Sequence, residues 1–524
     1  MKRTMWIDVL CINQDDVYER NNQVSRMKNI YENANLVIVW LGQEADKSHL
    51  AFETLGAMAD QSRHLDQSLT PSVNPELLDR EHINSLICFI SRQWWKRVWT
   101  VQETVLAPHL LFFCGSQTIE GQRVFSAMRN YFAHLGNCCG GVGSGSFAPP
   151  VLELVFPLRD VEFLHLHRER HGQIDLTKIL TAFRQRECFD ARDKIYGFLG
   201  LATGNLEGFL MPNYQQSTQR TFEQATLELV RRTRNLEMLS HLDGTIHPNH
   251  PSWVPTWTKF EDEESFHLMT ARLDRALFYN ACGDKKADLV SLSPGKASVS
   301  GILFDCIEKT GEFVNKKPED CVHKFKNWRT MAERTPNPEA PYSSQAFGSD
   351  NEFWITLVNA ALDDKERAGQ SFDHMIRIRE QHGKYKPWYE EWWASLESEH
   401  VKRQLGASSF HNAVRSSTTD RRFLISKSRY IGIGPPGARA GDLIAILHGG
   451  RQPYILRAST SLVELKGIKY PQYYMLGDAY IHNLMNGEVI TLEETDQVKE
   501  QTLILILQKQ FRLTRIYIVN INYY

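Results

Sequence analysis

At 524 residues the chain is longer than one ordinary domain, and with 42% hydrophobic and 23% charged residues it has the balance of a soluble protein with roughly two to four cores. A formal net charge of −2 excludes any global attraction to nucleic acid or an anionic membrane surface. Nine cysteines without a CxxC pair fit reduced thiols rather than a disulfide framework or a zinc site, and the lack of a signal peptide or bilayer-length apolar run predicts a cytoplasmic protein.

Met5–Leu10 is a short apolar run with β-branched content, which predicts a buried strand. Asp16 and Glu19 have capping-box spacing, and the helix they open puts Val17, Val24, Met27, Tyr31 and Ala34 on roughly one face. Leu36–Leu41 predicts a second strand, stopped by Gly42. Strand, helix and strand in this order make a βαβ unit and a parallel sheet. A helix near Leu50–Met58 and a turn-rich stretch with Pro71 and Pro75 follow, then a helix over His82–Ser91. Val98–Ala107 predicts the helix that carries Glu103, ended by Pro108, and Leu110–Cys114 another buried strand. Ligands of such a module are expected at the C-terminal ends of its strands.

Residues 137–150 are rich in glycine, but no Lys-Ser or Lys-Thr follows and Pro149-Pro150 break any helix, so a surface loop is expected rather than a phosphate loop. Residues 151–260 read as mostly helical. There Arg186, Asp190, Arg192 and Asp193 predict a polar corner that positions a helix over Lys194–Leu201, and a further helix runs Thr221–Arg232. Pro251-Ser-Trp-Val-Pro-Thr-Trp257 ends this segment as a proline-stiffened aromatic turn, expected to pack a linker onto the first domain. His165, His167 and His171 have a spacing that a metal tolerates, but their charged surroundings favour a solvated face, and no metal site is predicted.

Residues 261–420 read as mixed and mainly helical, with helices over Glu352–Asp373 and Glu390–Glu397 and with Trp388, Trp392 and Trp393 packing a helix on its neighbour. Residues 421–500, punctuated by Gly432, Gly434, Pro435-Pro436-Gly437, Gly441 and Gly449-Gly450, predict a small antiparallel β module. A tail, 501–524, follows; its apolar run over 502–507 is far too short to span a bilayer.

The chemistry concentrates in Arg97-Val-Trp-Thr-Val-Gln-Glu103. Trp99 and Glu103 are four residues apart and would share one helix face. A carboxylate beside an indole binds a sugar or nucleoside; it is also an ordinary half-buried helix face. Arg20 suits a phosphate or an ion pair with Glu103 or Asp16, and Arg97 has the same two readings. Asp8 sits either near the ligand edge of the first strand or as a cap for the turn that follows, and Asn13-Gln14 satisfy loop backbone groups. Cys11 and Cys114, in apolar runs, read as core residues.

Several blocks together are similar to the heterokaryon incompatibility (HET) domain of filamentous fungi. They are Trp6-Ile-Asp-Val-Leu-Cys-Ile-Asn-Gln14, Glu19-Arg20, Gln23-Val24, Trp40-Leu-Gly42, Arg97–Glu103, Asp190-Ala-Arg-Asp-Lys-Ile-Tyr196 and Ser252–Trp257, with Gly441-Asp442, Pro453–Arg457 and Met485–Glu488 further on. HET domains resemble TIR domains, and the resemblance implies an α/β fold: a TIR-like parallel sheet domain over 1–136, followed by a helical region and a small C-terminal β module. The family usually begins upstream with another strand, so an N-terminally truncated sheet is expected. The resemblance further implies fungal non-self recognition and programmed cell death. Many TIR domains cleave NAD with a glutamate in a W-x-x-x-E helix, which maps onto Glu103 as catalytic carboxylate, with Trp99, Asp8, Arg20 and Arg97 as substrate-binding residues. NAD then enters as substrate and no cofactor is required. The other implied mechanism is a non-enzymatic module that self-associates or works through protein partners, with no part for nucleic acid or membrane.

Overall fold

A computed structural model describes residues 4–60, 79–137, 164–166, 169, 175–202, 210–242, 244, 247, 249–315, 321–333, 349–363, 375–378, 382–397 and 409–507. The chain divides into two compact units. The first is Met1–Ala225 with Trp257–Phe266, and the second is Thr226–Thr256 with His267–Tyr524.

In the first unit the elements are α1 (Asp8–Cys11), α2 (Val17–Glu32), β1 (Val37–Trp40), α3 (Ser48–Asp60), α4 (Arg80–Ile90), α5 (Thr100–Leu106), β2 (Leu110–Cys114), β3 (Gln117–Glu120), α6 (Gly121–Asn137), α7 (Leu176–Ala182) and α8 (Asp193–Leu199). Local chemistry accounts for the boundaries. The Asp16 carboxylate accepts from the Tyr18 and Glu19 amides and caps α2; Asp79 does the same for Glu81 and His82 at α4. The reciprocal half of the capping box goes elsewhere, since Glu19 Oε1 accepts from the Asn13 amide at 3.1 Å. β1 and β2 pair in parallel, Val37 opposite Leu110 through Trp40 opposite Phe113, and the crossover between them is built from α3, α4 and α5. β3 returns from β2 as an antiparallel hairpin.

The expected strand over Met5–Leu10 is not there. Residues 8–11 form the single turn α1, closed by bonds from the Leu10 and Cys11 amides to Ile7 O, and the side chains of Met5, Val9 and Leu10 are exposed. A short apolar run does not by itself separate strand from helical turn, and only a pairing neighbour would have made it a strand. Cys11 is accordingly exposed rather than core, whereas Cys114 is buried, its thiol near Gln43 O. The parallel pair of the sheet is therefore 37–40 with 110–114, not 5–10 with 36–41.

In the second unit β4 (Val290–Ser293) and β5 (Lys296–Thr310) precede four helices, α9 (Val322–Glu333), α10 (Ser349–Leu357), α11 (His382–Glu397) and α12 (Ser409–Thr418); between α10 and α11 lies a small hairpin of β6 (Ala361–Asp363) and β7 (Met375–Arg377). Then come β8 (Arg422–Ser426), β9 (Ile431–Gly434), β10 (Leu443–Leu447), β11 (Tyr454–Leu465), β12 (Ile468–Asp478), β13 (Tyr480–Ile481), α13 (Glu488–Glu494) and β14 (Gln501–Leu505). Strands β10, β11, β12, β14 and β5 pair in that order and β5 pairs back onto β10, so five strands close on themselves. The arm β8-β9-β13 continues from β5. The apolar run 502–507 is thus largely an inner strand, antiparallel to β5 and parallel to β12.

One expectation for 261–420 is corrected. Besides its helices the segment holds β5, a 15-residue strand. The helix expected over Glu352–Asp373 stops at Leu357, and the chain turns through Asn359 and Ala360, both with positive φ, into β6. The tryptophan expectation holds: Trp392 is buried against Phe325 and Phe410, with Trp388 and Trp393 packed around the same core. The SWVPTW block does not act as one linker. Ser252 and Trp253 are buried in the second unit, where Ser252 Oγ donates to Ile506 O; Trp257 is buried in the first, beneath the Arg184 guanidinium.

Candidate functional site

The site grows from the contact between α5 and α8. Lys96 and Val98 pair with Glu187 through backbone bonds, Glu187 N to Lys96 O at 2.5 Å and Val98 N to Glu187 O at 2.9 Å. Gln102 Nε2 donates to Gly197 O at 2.8 Å, and a Cβ on Gly197 would lie 2.3 Å from Val98 Cγ1, so only glycine lets α8 approach this closely. The predicted polar corner forms between these anchors. The Arg192 guanidinium grips Asp190 through two bonds and donates to Tyr214 O and Gln216 O. Buried Lys194 donates to Arg184 O and Arg186 O; burial pulls its pKa down to about 8.

Beside this corner opens a cavity of about 500 Å³ whose walls include Asp8, Arg20, Arg97, Trp99, Phe189 and Tyr214. The volume is in the range of small-molecule sites. Four of the five expected site residues, Asp8, Arg20, Arg97 and Trp99, line it together. Their partners differ from the expected ones. Arg20 pairs with Asp190 at 2.9 Å rather than with Glu103 or Asp16, and its guanidinium lies 3.4 Å over the Tyr214 ring. Asp8, the first residue of α1, accepts from the Val9 amide without capping the turn, and Asn13 Oδ1 accepts from the Asp15 amide. The α5 helix starts at Thr100, which makes Trp99 its cap, and the Trp99 indole donates to Asp193 Oδ2 at 3.1 Å.

Glu103 stands apart from the other four. Its carboxylate accepts from Trp94 Nε1 at 3.0 Å and from the Tyr31 hydroxyl, and it does not itself line the cavity. Trp99 and Glu103 therefore serve different partners instead of one shared face. Burial raises the Glu103 carboxyl above the ordinary carboxylate range; the Trp94 bond and the Arg97 charge pull against that shift, and the Asp8 charge adds to it. Asp8 and Arg97 are thus both cavity wall and the electrostatic neighbours of Glu103.

Asp193 is a second enclosed carboxyl, and this one does line the cavity. It accepts from the Tyr214 hydroxyl at 2.5 Å and from Trp99. Burial raises its pKa, and those two bonds only partly offset the effect. At Asp190, burial also pushes upward, but the Arg192 bonds and the Arg20 charge win and hold the carboxyl below its usual range. A carboxyl raised on folding contributes stability that is present below the ordinary carboxylate pKa and is lost as pH rises through the folded value. Asp193→Asn, which can accept from Trp99 and donate to Tyr214, should therefore reduce the loss of first-unit stability as pH rises above the ordinary carboxylate range. Urea midpoints across that rise check it, and parallel profiles for the two proteins would contradict the assignment.

Sequence reasoning missed Phe189 and Tyr214. Tyr214 carried no motif, and its place depends on a contact to Asn21, whose Oδ1 accepts the Tyr214 amide from 193 residues away. Among the described residues no three or more His, Cys, Asp or Glu side chains gather as metal ligands, the cysteines are all free, and no helix is long and apolar enough to cross a membrane. The glycine-rich loop 137–150 lies almost wholly outside the described residues, as do His167 and His171; His165 pairs with Glu169.

Comparison with known proteins gives two family matches: the heterokaryon incompatibility protein (HET) model over residues 1–103 and the Het-6 beta-barrel domain model over residues 350–500. Along nearly its whole length the chain is also similar to heterokaryon incompatibility protein 6, OR allele, of Neurospora crassa, with 25% identity over a 581-residue alignment covering 94% of this chain and 82% of that protein. Together these matches support a fungal heterokaryon incompatibility protein. Its functional class is accordingly heterokaryon incompatibility. No solved structure matches. The HET match ends at Glu103, yet Glu187, Cys188, Phe189, Asp190, Asp193 and Tyr214 supply much of the cavity wall. The Het-6 barrel match likewise stops short of β14 and begins after β5, although both strands close the barrel.

Proposed function

We propose that the first unit is a TIR-like, NAD-consuming effector whose activity in fungal non-self recognition ends in cell death, with Glu103 as the catalytic carboxylate. The observation that carries this reading is the enclosed Glu103 carboxyl next to Asp8 and Arg97, two walls of a cavity of small-molecule size. Cleaving the bond between nicotinamide and ribose develops positive charge on the ribose, as in glycoside hydrolysis. The leaving pyridine is neutral and needs no general acid. A single ionised carboxylate, desolvated and fixed by Trp94 and Tyr31, then stabilises the developing cation without reorganising. In this reading Trp99 and Asp8 bound the substrate, and Arg20 and Arg97 face its phosphates.

A second reading, contact with protein partners or self-association, draws support from β1. It is an end strand of its three-stranded sheet, and Leu36, Ile38 and Trp40 are exposed along it. Such edges pair readily with other chains. Both readings place the protein in the cytoplasm.

NAD content in cells expressing this chain, or the chain carrying Glu103→Gln, decides between them. Depletion by the first and not by the second is the expected result. Cell death at constant NAD would reject the enzymatic reading and leave the partner reading.

A further inference from the structure

Phe189 is the most exposed large apolar side chain among the described residues, with a relative accessibility of 108%, and it lines the cavity. Its exposure does not come from a slack loop. On one side Glu187 is held by the backbone bonds to Lys96 and Val98 and by its ion pair with Lys259 at 2.7 Å. On the other, Asp190 is clamped by Arg192 and Arg20. Only Cys188 and Phe189 lie between the clamps. Cys188 is half-buried, its thiol pushed up to about 11 by burial, so the pinned backbone turns Phe189 outward. An aromatic ring held in water at a cavity mouth leaves its apolar surface to be covered by whatever enters.

The polar walls narrow the class of that ligand. Most of the acids are engaged: Glu187 with Lys259, Asp190 with two arginines, Asp193 with Tyr214 and Trp99. Asp8 takes only its neighbour's amide, which leaves acceptor capacity for hydroxyls. Arg97 is exposed and makes no side-chain hydrogen bond or ion pair among the described residues, and Arg20 keeps Nε buried without a hydrogen-bond partner. An aromatic face, a carboxylate and a guanidinium with open donors together match a ring, a sugar and a phosphate.

We propose that Phe189 is a ligand-positioning residue that stacks on the planar ring of a nucleotide, with the ribose toward Asp8 and the phosphates toward Arg97 and Arg20. This rests on the nucleotide reading above but not on its chemical step.

The test is calorimetric titration of the full chain with NAD and with pyrophosphate, a probe that has no ring, in a Glu103→Gln background so that NAD persists. Phe189→Ala should weaken NAD binding about ten- to thirtyfold and leave pyrophosphate binding unchanged. Phe189→Trp should restore NAD binding. Unchanged NAD affinity in Phe189→Ala overturns the proposal and points to a protein-contact role for this ring. Equal weakening for both probes, with a lower melting temperature, overturns it in favour of a structural role. No NAD binding in any of these chains overturns both this inference and the nucleotide reading. Ring-dependent binding, together with turnover that persists when Glu103 is replaced, keeps this inference and rejects only the assigned chemistry.

Discussion

Arg421→Leu should destabilise the second unit by about 3–5 kcal/mol, a large share of what holds an ordinary domain folded. Arg421 and Asp478 are 4% and 2% exposed and meet at 2.9 Å. The same guanidinium donates to Asp478 O at 2.8 Å and to Ile433 O on β9. The pair thus ties β9 to the end of β12. Burial pushes Arg421 down to about 10, so it remains charged at neutral pH. Leucine in its place would leave a buried carboxylate with no counter-charge and two carbonyls with one donor fewer. The cost comes from the broken pair, not from the pair's own contribution, because two charges withdrawn from water regain little more than their desolvation. Arg421→Leu with Asp478→Leu should therefore recover much of the loss. Urea unfolding of both variants checks this, and a double variant no more stable than the single one would contradict the account.

That ion pair also marks the limit of what the linear sequence shows. Elements with local signals were legible: β1 between Leu36 and Gly42, β2 after Pro108, α2 behind Asp16, and the polar corner at Asp190–Asp193. The glycine- and proline-punctuated β module was legible for the same reason. β5 was not, because its inward residues Ala297 and Val299 alternate with Lys296, Ser298 and Ser300, and a half-exposed strand of this kind becomes convincing only once β10 and β14 supply its ladders. At Met5–Leu10 the apolar content was read correctly and its conformation was not. In the site, residue types were legible and partners were not: Arg20 finds Asp190 across 170 positions, and Trp99 finds Asp193 across 94. Phe189 follows a cysteine between Glu187 and Asp190, and only the clamps on either side of it make it face water.

Glu103→Gln should lower NAD turnover by the purified chain about a thousandfold or more, the scale on which removing a fixed transition-state charge acts, while melting temperature changes little. The amide oxygen of the substituted side chain would still accept the Trp94 and Tyr31 bonds that hold the native carboxylate, so the packing survives the change. What disappears is the charge proposed to stabilise the ribose cation from behind Asp8 and Arg97. The wild-type profile supplies an independent check. The proposed reaction would need Glu103 ionised, and burial holds its pKa above the ordinary carboxylate range. Turnover should accordingly rise with pH through a single ionisation above that range and then level off. Trp94→Phe removes one bond that favours the ionised form, so it should move that ionisation further upward and reduce turnover less than Glu103→Gln does. A turnover that survives Glu103→Gln, or a profile unmoved by Trp94→Phe, would transfer the chemistry to another carboxyl, and Asp193, the enclosed acid that lines the cavity, would be the next to replace.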